Sequence, residues 1–469
     1  MNIEKITGYL NYRDEEHVFI CENYYLALLP TTSIKLFEYK SSLIFDNISK
    51  PKANGFLADV LLEGICITGE KVYFCIQDNP SYKDGVFNYL VKWLYIVDKN
   101  LECPQIKGIN FISQEINSFY NTKKYLKDDF DLKNGSFSNY TLSILPLDRE
   151  KLGSFSYNQK KVEIYGDMSW KKNYAENNNF EMWSKITLEF EKNTSEIDWI
   201  YRISLLQKSV INFISYRLNN SFDSIETYSY NENNKRYISG KFYISEKLDV
   251  EKDYKILDRI IKSDNIKNIG KLYEMILKNK IYLNHIPINQ EQKSIYTPLR
   301  MLGILISFER IINWKYTKED LRNKKYLKLL ERMTLYLSEN KEDLIRDLTG
   351  QSIRFDKTVS RLSKAHADYA SYVRKIIKDY PLSKIYIKNI YNTEPNPNLI
   401  TTIVERIGKL RNDMAHGNMD FEFTIDNTKD LKFMEMLVYV IILKELEIED
   451  PEIINKVNRL FNIQFMYFN

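Results

Sequence analysis

The sequence predicts an α+β protein in which a β-rich N-terminal domain precedes an all-α helical bundle. Up to about residue 195, short runs of β-branched and aromatic residues alternate with polar turns, which is the pattern of strands. Near residue 200 the apolar positions take up the helical period, and beyond about Glu251 the chain is mainly helical. These changes predict a β-rich domain over 1–195, a helix with a β-hairpin and a helical connector over 196–289, and a helical bundle over 290–469.

The predicted elements follow one another without a repeat of fixed period. Strand-like runs of the first domain are YYLALLP (24–30), SSLIFDNI (41–48), ADVLLEGICI (58–67), KVYFCIQ (71–77) and YLVKWLYIV (89–97). A helix follows with the apolar positions Ile203, Leu206, Val210, Phe213, Ile214 and Leu218. A hairpin over 224–230 and 236–244 comes next. The main helix candidates beyond it are 298–314, 318–337, 356–379, 398–415 and 428–447.

Charge and cysteine content narrow the class of protein. The chain has 67 Lys and Arg against 63 Asp and Glu, so any nucleic-acid site must be a local basic patch. Its 4 cysteines are irregularly spaced and include no C-x-x-C pair, which predicts a reducing compartment without a zinc site. The longest apolar stretch, near 436–443, is far shorter than the ~20 residues of a membrane span, and no signal-like run begins the sequence. We therefore expect a cytoplasmic protein with no membrane partner.

The candidate chemistry rests on histidine, because the sequence has no motif of a known cofactor site. No Walker loop, H-E-x-x-H, G-x-S-x-G or G-x-G-x-x-G occurs, so we expect neither cofactor nor metal. Among 4 histidines, His416 has the most polar neighbourhood, in ERIGKLRNDMAHGNMD (405–420). The apolar face of this predicted helix comprises Ile400, Ile403, Val404, Ile407, Leu410 and Met414. The opposite face comprises Glu405, Lys409, Asn412 and His416. Asn412 would thus orient the imidazole one turn away, with Gly417 as the C-terminal cap.

Arg411 is out of place on the same helix, since the helical period puts it at the apolar face. A buried arginine needs an acidic partner or a polar cleft. Glu309 is an equally misplaced carboxylate in MLGILISFERIINW (301–314), a helix that is apolar almost all round. We expect an Arg411–Glu309 pair or a shared cleft. The alternative interpretation is a buried ion pair without a catalytic part.

A second R-x-x-x-x-H spacing shows that the bare pattern is weak evidence. Arg361 and His366 form it in RLSKAH, within a predicted helix. Arg411 is distinguished by the asparagine that follows it, and His416 by its place at a helix end, where a ligand can reach it. His17 and His285 are interpreted as structural, at a strand edge and in a loop.

The sequence RNDMAHG resembles the R-N-x-x-x-H motif of HEPN-domain ribonucleases, a superfamily of α-helical bundles found in toxins, abortive-infection proteins and type VI CRISPR effectors. The Glu309 helix is similar to the earlier bundle helix that often carries a polar residue facing the motif. The order of the domains, together with residues 55–79, resembles the ApeA-like anti-phage proteins, which have a β-rich N-terminal domain and a C-terminal HEPN domain. The segments 313–347 and 361–366 have no assigned counterpart in that family.

The resemblance implies an anti-phage endoribonuclease that cuts RNA without a metal. Arg411, Asn412 and His416 would be its catalytic residues, supported by Glu309. It further implies a homodimer with a composite active site, products with 2′,3′-cyclic phosphate and 5′-hydroxyl ends, and an N-terminal domain that senses a phage-derived trigger. Lysines and tyrosines interleaved over 322–333 and 373–391 would hold RNA, unless they are ordinary helix faces.

Two alternatives remain open from the sequence, one about the function and one about the site. One is a catalytically inactive HEPN module that binds a nucleotide or a partner toxin as an interaction or regulatory protein. The other places the active groups at Arg361 and His366.

Overall fold

The chain divides into two units, Met1–Leu277 and Lys278–Asn469, so the division falls inside the predicted segment 196–289. The computed structural model describes residues 5–31, 59–77, 79–83, 86–121, 125–133, 136–145, 149–173, 179–245, 259–264, 266–289, 291–317, 324–346, 352–363, 369–417 and 423–463. The first unit is dominated by antiparallel strands and the second is helical. The prediction of an α+β protein with a β-rich first part is therefore confirmed at this level.

The strands of the first unit form one thirteen-stranded sheet and a separate hairpin. The strands are β1 (Ile6–Tyr12), β2 (Glu15–Glu22), β3 (Tyr25–Pro30), β4 (Asp59–Cys66), β5 (Lys71–Gln77), β6 (Ser81–Lys83), β7 (Val86–Val97), β8 (Ile106–Ile112), β9 (Leu126–Lys133), β10 (Ser136–Ile144), β11 (Glu150–Tyr157), β12 (Lys160–Asn173), β13 (Asn179–Thr194), β14 (Ser224–Tyr230) and β15 (Arg236–Ile244). The sheet order is β11-β12-β13-β8-β14-β15-β7-β3-β2-β1-β4-β5, β6 pairs with β7, and β9 pairs with β10. The predicted hairpin and four of the five predicted runs are strands, whereas 41–48 lies outside the described residues.

An additional pairing between β7 and β5 closes β7, β3, β2, β1, β4 and β5 into a ring of six strands. Alternate side chains of these strands point inward, as the period of two requires. They form the first core, with Leu10, Phe19, Leu26, Leu28, Phe74, Tyr89, Val91 and Leu94 among its members. His17 lies on β2, which pairs with both β1 and β3, so the prediction of a strand edge is wrong.

Among the described residues of the first unit, three helices accompany the open part of the sheet. They are α1 (Gln114–Phe119), α2 (Ile197–Ser215) and α3 (Gly270–Leu277). The long helix α2 buries its apolar side and contacts both α1 and α3. At the outer strand β11, the Ile269 N–H donates to the Leu152 carbonyl at 3.1 Å, and α3 packs against this strand.

The second unit consists of nine helices within the described residues. They are α4 (Pro298–Lys315), α5 (Lys324–Glu339), α6 (Lys341–Ile345), α7 (Ser352–Ser363), α8 (Tyr369–Asp379), α9 (Leu382–Tyr391), α10 (Pro397–Ala415), α11 (Ile425–Glu445) and α12 (Asp450–Phe461). Helices α7 and α8 cover the predicted helix 356–379 on either side of residues 364–368, which lie outside the described residues, and α9 was not among the main candidates. Within the parts of the chain that the structure describes, no helix combines the length and hydropathy of a membrane span.

Helix α11 lies at the centre of the second unit. Nearly every residue over 430–443 is buried, and the helix contacts α4, α9, α10 and α12. A helix that is apolar almost all round has to be enclosed by others, and this arrangement satisfies that requirement. Gly303 allows a close approach of α4 to the backbone at Asn284, because a Cβ atom there would come within 2.4 Å of the Asn284 carbonyl oxygen. The enclosed helix and its neighbours fix α4 and α10, which carry the candidate site.

Candidate active site at the end of helix α10

Local sequence signals set the start and the orientation of α10. The Asn396 side chain accepts a hydrogen bond from the Leu399 N–H at 2.9 Å, and Pro397 takes the first helical position. Ile403, Val404, Ile407, Leu410 and Met414 are buried, as the helical period predicted. Glu405, Lys409, Asn412 and His416 are exposed. The predicted polar face of this helix is therefore confirmed.

The helix ends at the candidate histidine. His416 is the C-terminal cap residue, and its N–H donates to the Asn412 carbonyl at 3.0 Å. Gly417 then turns the chain away with a φ of +71°, a left-handed conformation that favours glycine, and its N–H donates to the Met414 carbonyl at 3.2 Å. The predicted cap is therefore present. The imidazole is exposed at the helix end, one turn from the exposed Asn412.

The predicted pair between Arg411 and Glu309 is present. The Arg411 Nη2 donates to Glu309 Oε1 at 3.2 Å, linking α10 to α4. The expectation of a buried arginine is wrong, because the two side chains are 33% and 39% exposed. Ion pairs in contact with water contribute about 0–1 kcal/mol, so this contact positions the guanidinium more than it stabilises the fold. A guanidinium has five N–H donors, and the contact with Glu309 engages one of its nitrogens.

A second arginine on α10, which the sequence analysis missed, has a different role. Arg406 donates from Nε and Nη2 to the two carboxylate oxygens of Asp430 on α11, both at 2.8 Å. The Asp430 side chain is 0% exposed and also accepts from the Tyr391 hydroxyl. Burial raises the pKa of Asp430, and the bonds from Arg406 and Tyr391 oppose that rise. The sequence offered one signal for this pair. Asp430 stands directly before the buried apolar run of α11, where a carboxylate needs a partner.

The other histidines are unsuited to chemistry or lie outside the described residues. His17 is buried, and its Nδ1 lies 2.9 Å from the Glu15 carbonyl oxygen. His285 is buried against Tyr439, with the ring centroids 6.0 Å apart. Burial, with a smaller effect of the nearby positive Arg300, lowers the pKa of His285 to about 3, so it stays neutral near pH 7. Of the histidines that the structure describes, His416 alone is exposed.

The side chains of the competing pair, Arg361 and His366, lie outside the described residues. Of this pair, the structure describes only the backbone of Arg361, within helix α7.

The lysines and tyrosines over 373–391, predicted to hold RNA unless they are ordinary helix faces, differ in exposure. Lys378, Lys384 and Lys388 are exposed, and they remain candidates for phosphate contacts. Tyr386 is completely buried, and Tyr391 donates to the buried Asp430. The expectation that these tyrosines stack on RNA bases is therefore wrong for both.

A cavity of about 400 Å³ lies elsewhere in the second unit. It is lined by Lys315, Tyr316, Asp379, Tyr380, Pro381, Leu382, Val440, Lys444, Glu445 and Asp450. Burial raises the pKa of Tyr380 to about 12, and the negative charges of Glu445 and Asp379 add to the effect. No cluster of His, Cys, Asp and Glu within the described residues could hold a metal ion.

Comparison with protein-family models, with curated proteins and with solved structures finds no match for this chain. The function must therefore be argued from the chemistry of the site.

Proposed function

We propose that the protein is a HEPN-type endoribonuclease that cleaves RNA in anti-phage defence by abortive infection. The observation that carries the proposal is the exposed His416 at the end of α10, one turn after the exposed Asn412 and close in sequence to the partly exposed Arg411. The three polar groups lie at a helix end that faces solvent. Such a site suits a large substrate such as RNA better than a small molecule that binds in an enclosed pocket.

These residue types can perform RNA cleavage without a metal. A base removes the proton of the ribose 2′-hydroxyl and the 2′-oxygen bonds to phosphorus. The bond from phosphorus to the 5′-oxygen then breaks as an acid donates a proton to that oxygen. His416 suits the proton transfer, since an imidazole ordinarily titrates near neutral pH. Arg411 suits the phosphate, because its planar fork donates parallel hydrogen bonds and keeps its charge. The products carry 2′,3′-cyclic phosphate and 5′-hydroxyl ends.

One set of these residues supplies a single histidine, whereas the reaction needs both a base and an acid. A homodimer that joins two sets of Arg411, Asn412 and His416 would supply both. In this proposal the β-rich first unit senses a phage-derived trigger, and the RNA that is cut is a tRNA or an mRNA.

The decisive experiment is incubation of purified protein with total cellular RNA, followed by mapping of the fragment ends. We expect His416→Ala to lower the cleavage rate about 100-fold or more, because general acid–base catalysis contributes about 10²–10⁴-fold. Its melting temperature should stay unchanged, since the side chain is exposed. Lys409→Ala, on the same exposed face, is the matched control and should cleave normally. Equal cleavage by His416→Ala and wild type, or loss of cleavage with a chelator, would reject the proposal.

A catalytically inactive module that binds a nucleotide is the second candidate, and the cavity beside Tyr380 favours it. Its volume of about 400 Å³ lies in the range of small-molecule sites. Calorimetric titration with nucleotides, compared between wild type and Lys444→Glu, tests this function, because the change reverses a partly exposed charge in the lining. Binding that Lys444→Glu abolishes without a change in melting temperature, in a protein that leaves RNA intact, would favour it over the ribonuclease.

A further inference from the structure

Helix α5 has apolar side chains on two sides. On the inner side, Leu330 is buried, and Thr334 and Leu337 are partly buried; α5 packs against α7. On the outer side, Leu329, Met333 and Tyr336 are 52%, 43% and 61% exposed. We call these three residues the outer seam.

The outer seam has the spacing of a coiled-coil contact line. Steps of four and three residues place Leu329, Met333 and Tyr336 along one face, as at successive d, a and d positions of a heptad. Single exposed apolar residues are normal on a protein surface, but three in one line at this spacing mark a surface that another helix can cover. Leu344 on α6, 43% exposed, adds apolar surface nearby.

Two charges beside the outer seam indicate what covers it. Arg332 and Glu339 are both exposed and lie seven residues apart, so they share the g position on one flank of the seam. In an antiparallel pair of α5 helices related by a two-fold axis, Arg332 of each copy faces Glu339 of the other. A parallel pair would instead place each charge against the opposite flank, which carries Leu330 and Leu337.

We infer that the outer seam is a self-association surface, occupied by α5 of a second copy of this chain in antiparallel orientation. Met333 of each copy packs against Tyr336 of the other, and two Arg332–Glu339 pairs close the flank. A contact of this size is small for a protein interface, so we expect a weak dimer with a dissociation constant of about micromolar order. The inference goes beyond the proposed function and stands apart from it, because it concerns α5 and not the end of α10 that carries the candidate site.

Charge reversal tests the inference with the full-length chain by sedimentation equilibrium, in the absence of RNA. Arg332→Glu gives the flank two glutamates and Glu339→Arg gives it two arginines, so each variant alone should dimerise at least ten-fold more weakly. The double variant Arg332→Glu/Glu339→Arg restores the opposite charges and should dimerise within about three-fold of wild type. An equimolar mixture of the two single variants should form a heterodimer, because each copy then faces a partner of opposite charge.

The control is Glu331→Arg, which changes an exposed charge at the f position, away from the seam, and should leave dimerisation unchanged. Unaltered melting temperatures would show that all four variants fold. A wild type that stays monomeric to about 100 μM, single variants that dimerise as well as wild type, or a mixture that stays monomeric would each overturn the inference. Because the measurement contains no RNA, these failures are distinct from a failure of the ribonuclease proposal.

Discussion

The two arginines of helix α10 lie five residues apart, and each binds a carboxylate, yet their surroundings differ. Arg406 makes two bonds of 2.8 Å to Asp430, whose side chain is fully buried. Arg411 makes one contact of 3.2 Å to a carboxylate that is itself partly exposed. The comparison teaches that the inner pair holds helices α10 and α11 together, while the outer pair presents a cation to the surface. The two arginine side chains are similarly exposed, at 26% and 33%, so what distinguishes Arg411 is its single bond to a partly exposed carboxylate.

The largest effect on stability should come from the inner pair. Asp430→Asn removes the buried negative charge and leaves Arg406 with only the longer contact of 3.8 Å to Asp426, which we expect to lower the free energy of unfolding by about 3 kcal/mol. The matched change on the outer pair, Glu309→Gln, should cost less than about 1 kcal/mol, because water screens that contact. Urea unfolding measures both. Equal losses would show that the two pairs have the same structural role.

For activity, the outer pair should matter more than the inner pair. We expect Arg411→Ala to lower the rate of RNA cleavage by about 100-fold, as for the loss of one group that stabilises transition-state charge. Its melting temperature should fall little. Arg411→Lys keeps the charge without the planar fork, so it should recover only part of the rate. A loss of stability as large as that of Asp430→Asn would instead assign Arg411 to the structure.

The buried His285 of the second unit allows a third, smaller test. His285 has a folded pKa of about 3 against 6.5 when unfolded, so the unfolded chain binds the additional proton between these values. Its contribution to stability is therefore complete above pH 6.5 and is lost as the pH falls toward 3. Between pH 7.5 and 5 we expect it to cost the wild type about 2 kcal/mol.

Comparison of urea unfolding at these two pH values measures the contribution. The variant His285→Gln should lose about 2 kcal/mol less than wild type over the same range, because glutamine does not titrate. An identical pH dependence in the two proteins would show that His285 does not remain neutral in the folded chain.

Periodicity predicted those parts of the fold in which one face is apolar. The hairpin at 224–230 and 236–244, the strands β3, β4, β5 and β7, and the polar face of α10 follow directly from alternation or from the helical period. The sequence could not predict that the six strands close into a ring. Closure depends on the pairing of β7 with β5, and no local pattern in the sequence encodes that contact.

Helical phase predicted the contact of Arg411 with Glu309 but misjudged its burial. A helix wheel gives the direction of a side chain, whereas exposure depends on which neighbours cover it. For the same reason Arg406 was overlooked, because its importance derives from Asp430 on another helix. His17 was misplaced at an edge, because the neighbours of β2 on both sides follow from the closed ring.

The ring and the outer strand β11 have one more consequence, for behaviour at high concentration. Strands left open at the end of a sheet are templates on which other chains can add. One end of the thirteen-stranded sheet folds back on itself, and at the other end the Leu152 carbonyl of β11 is already taken by Ile269. A strand of another copy that added at β11 would therefore have to displace the segment of Ile269 and the helix α3 that packs there.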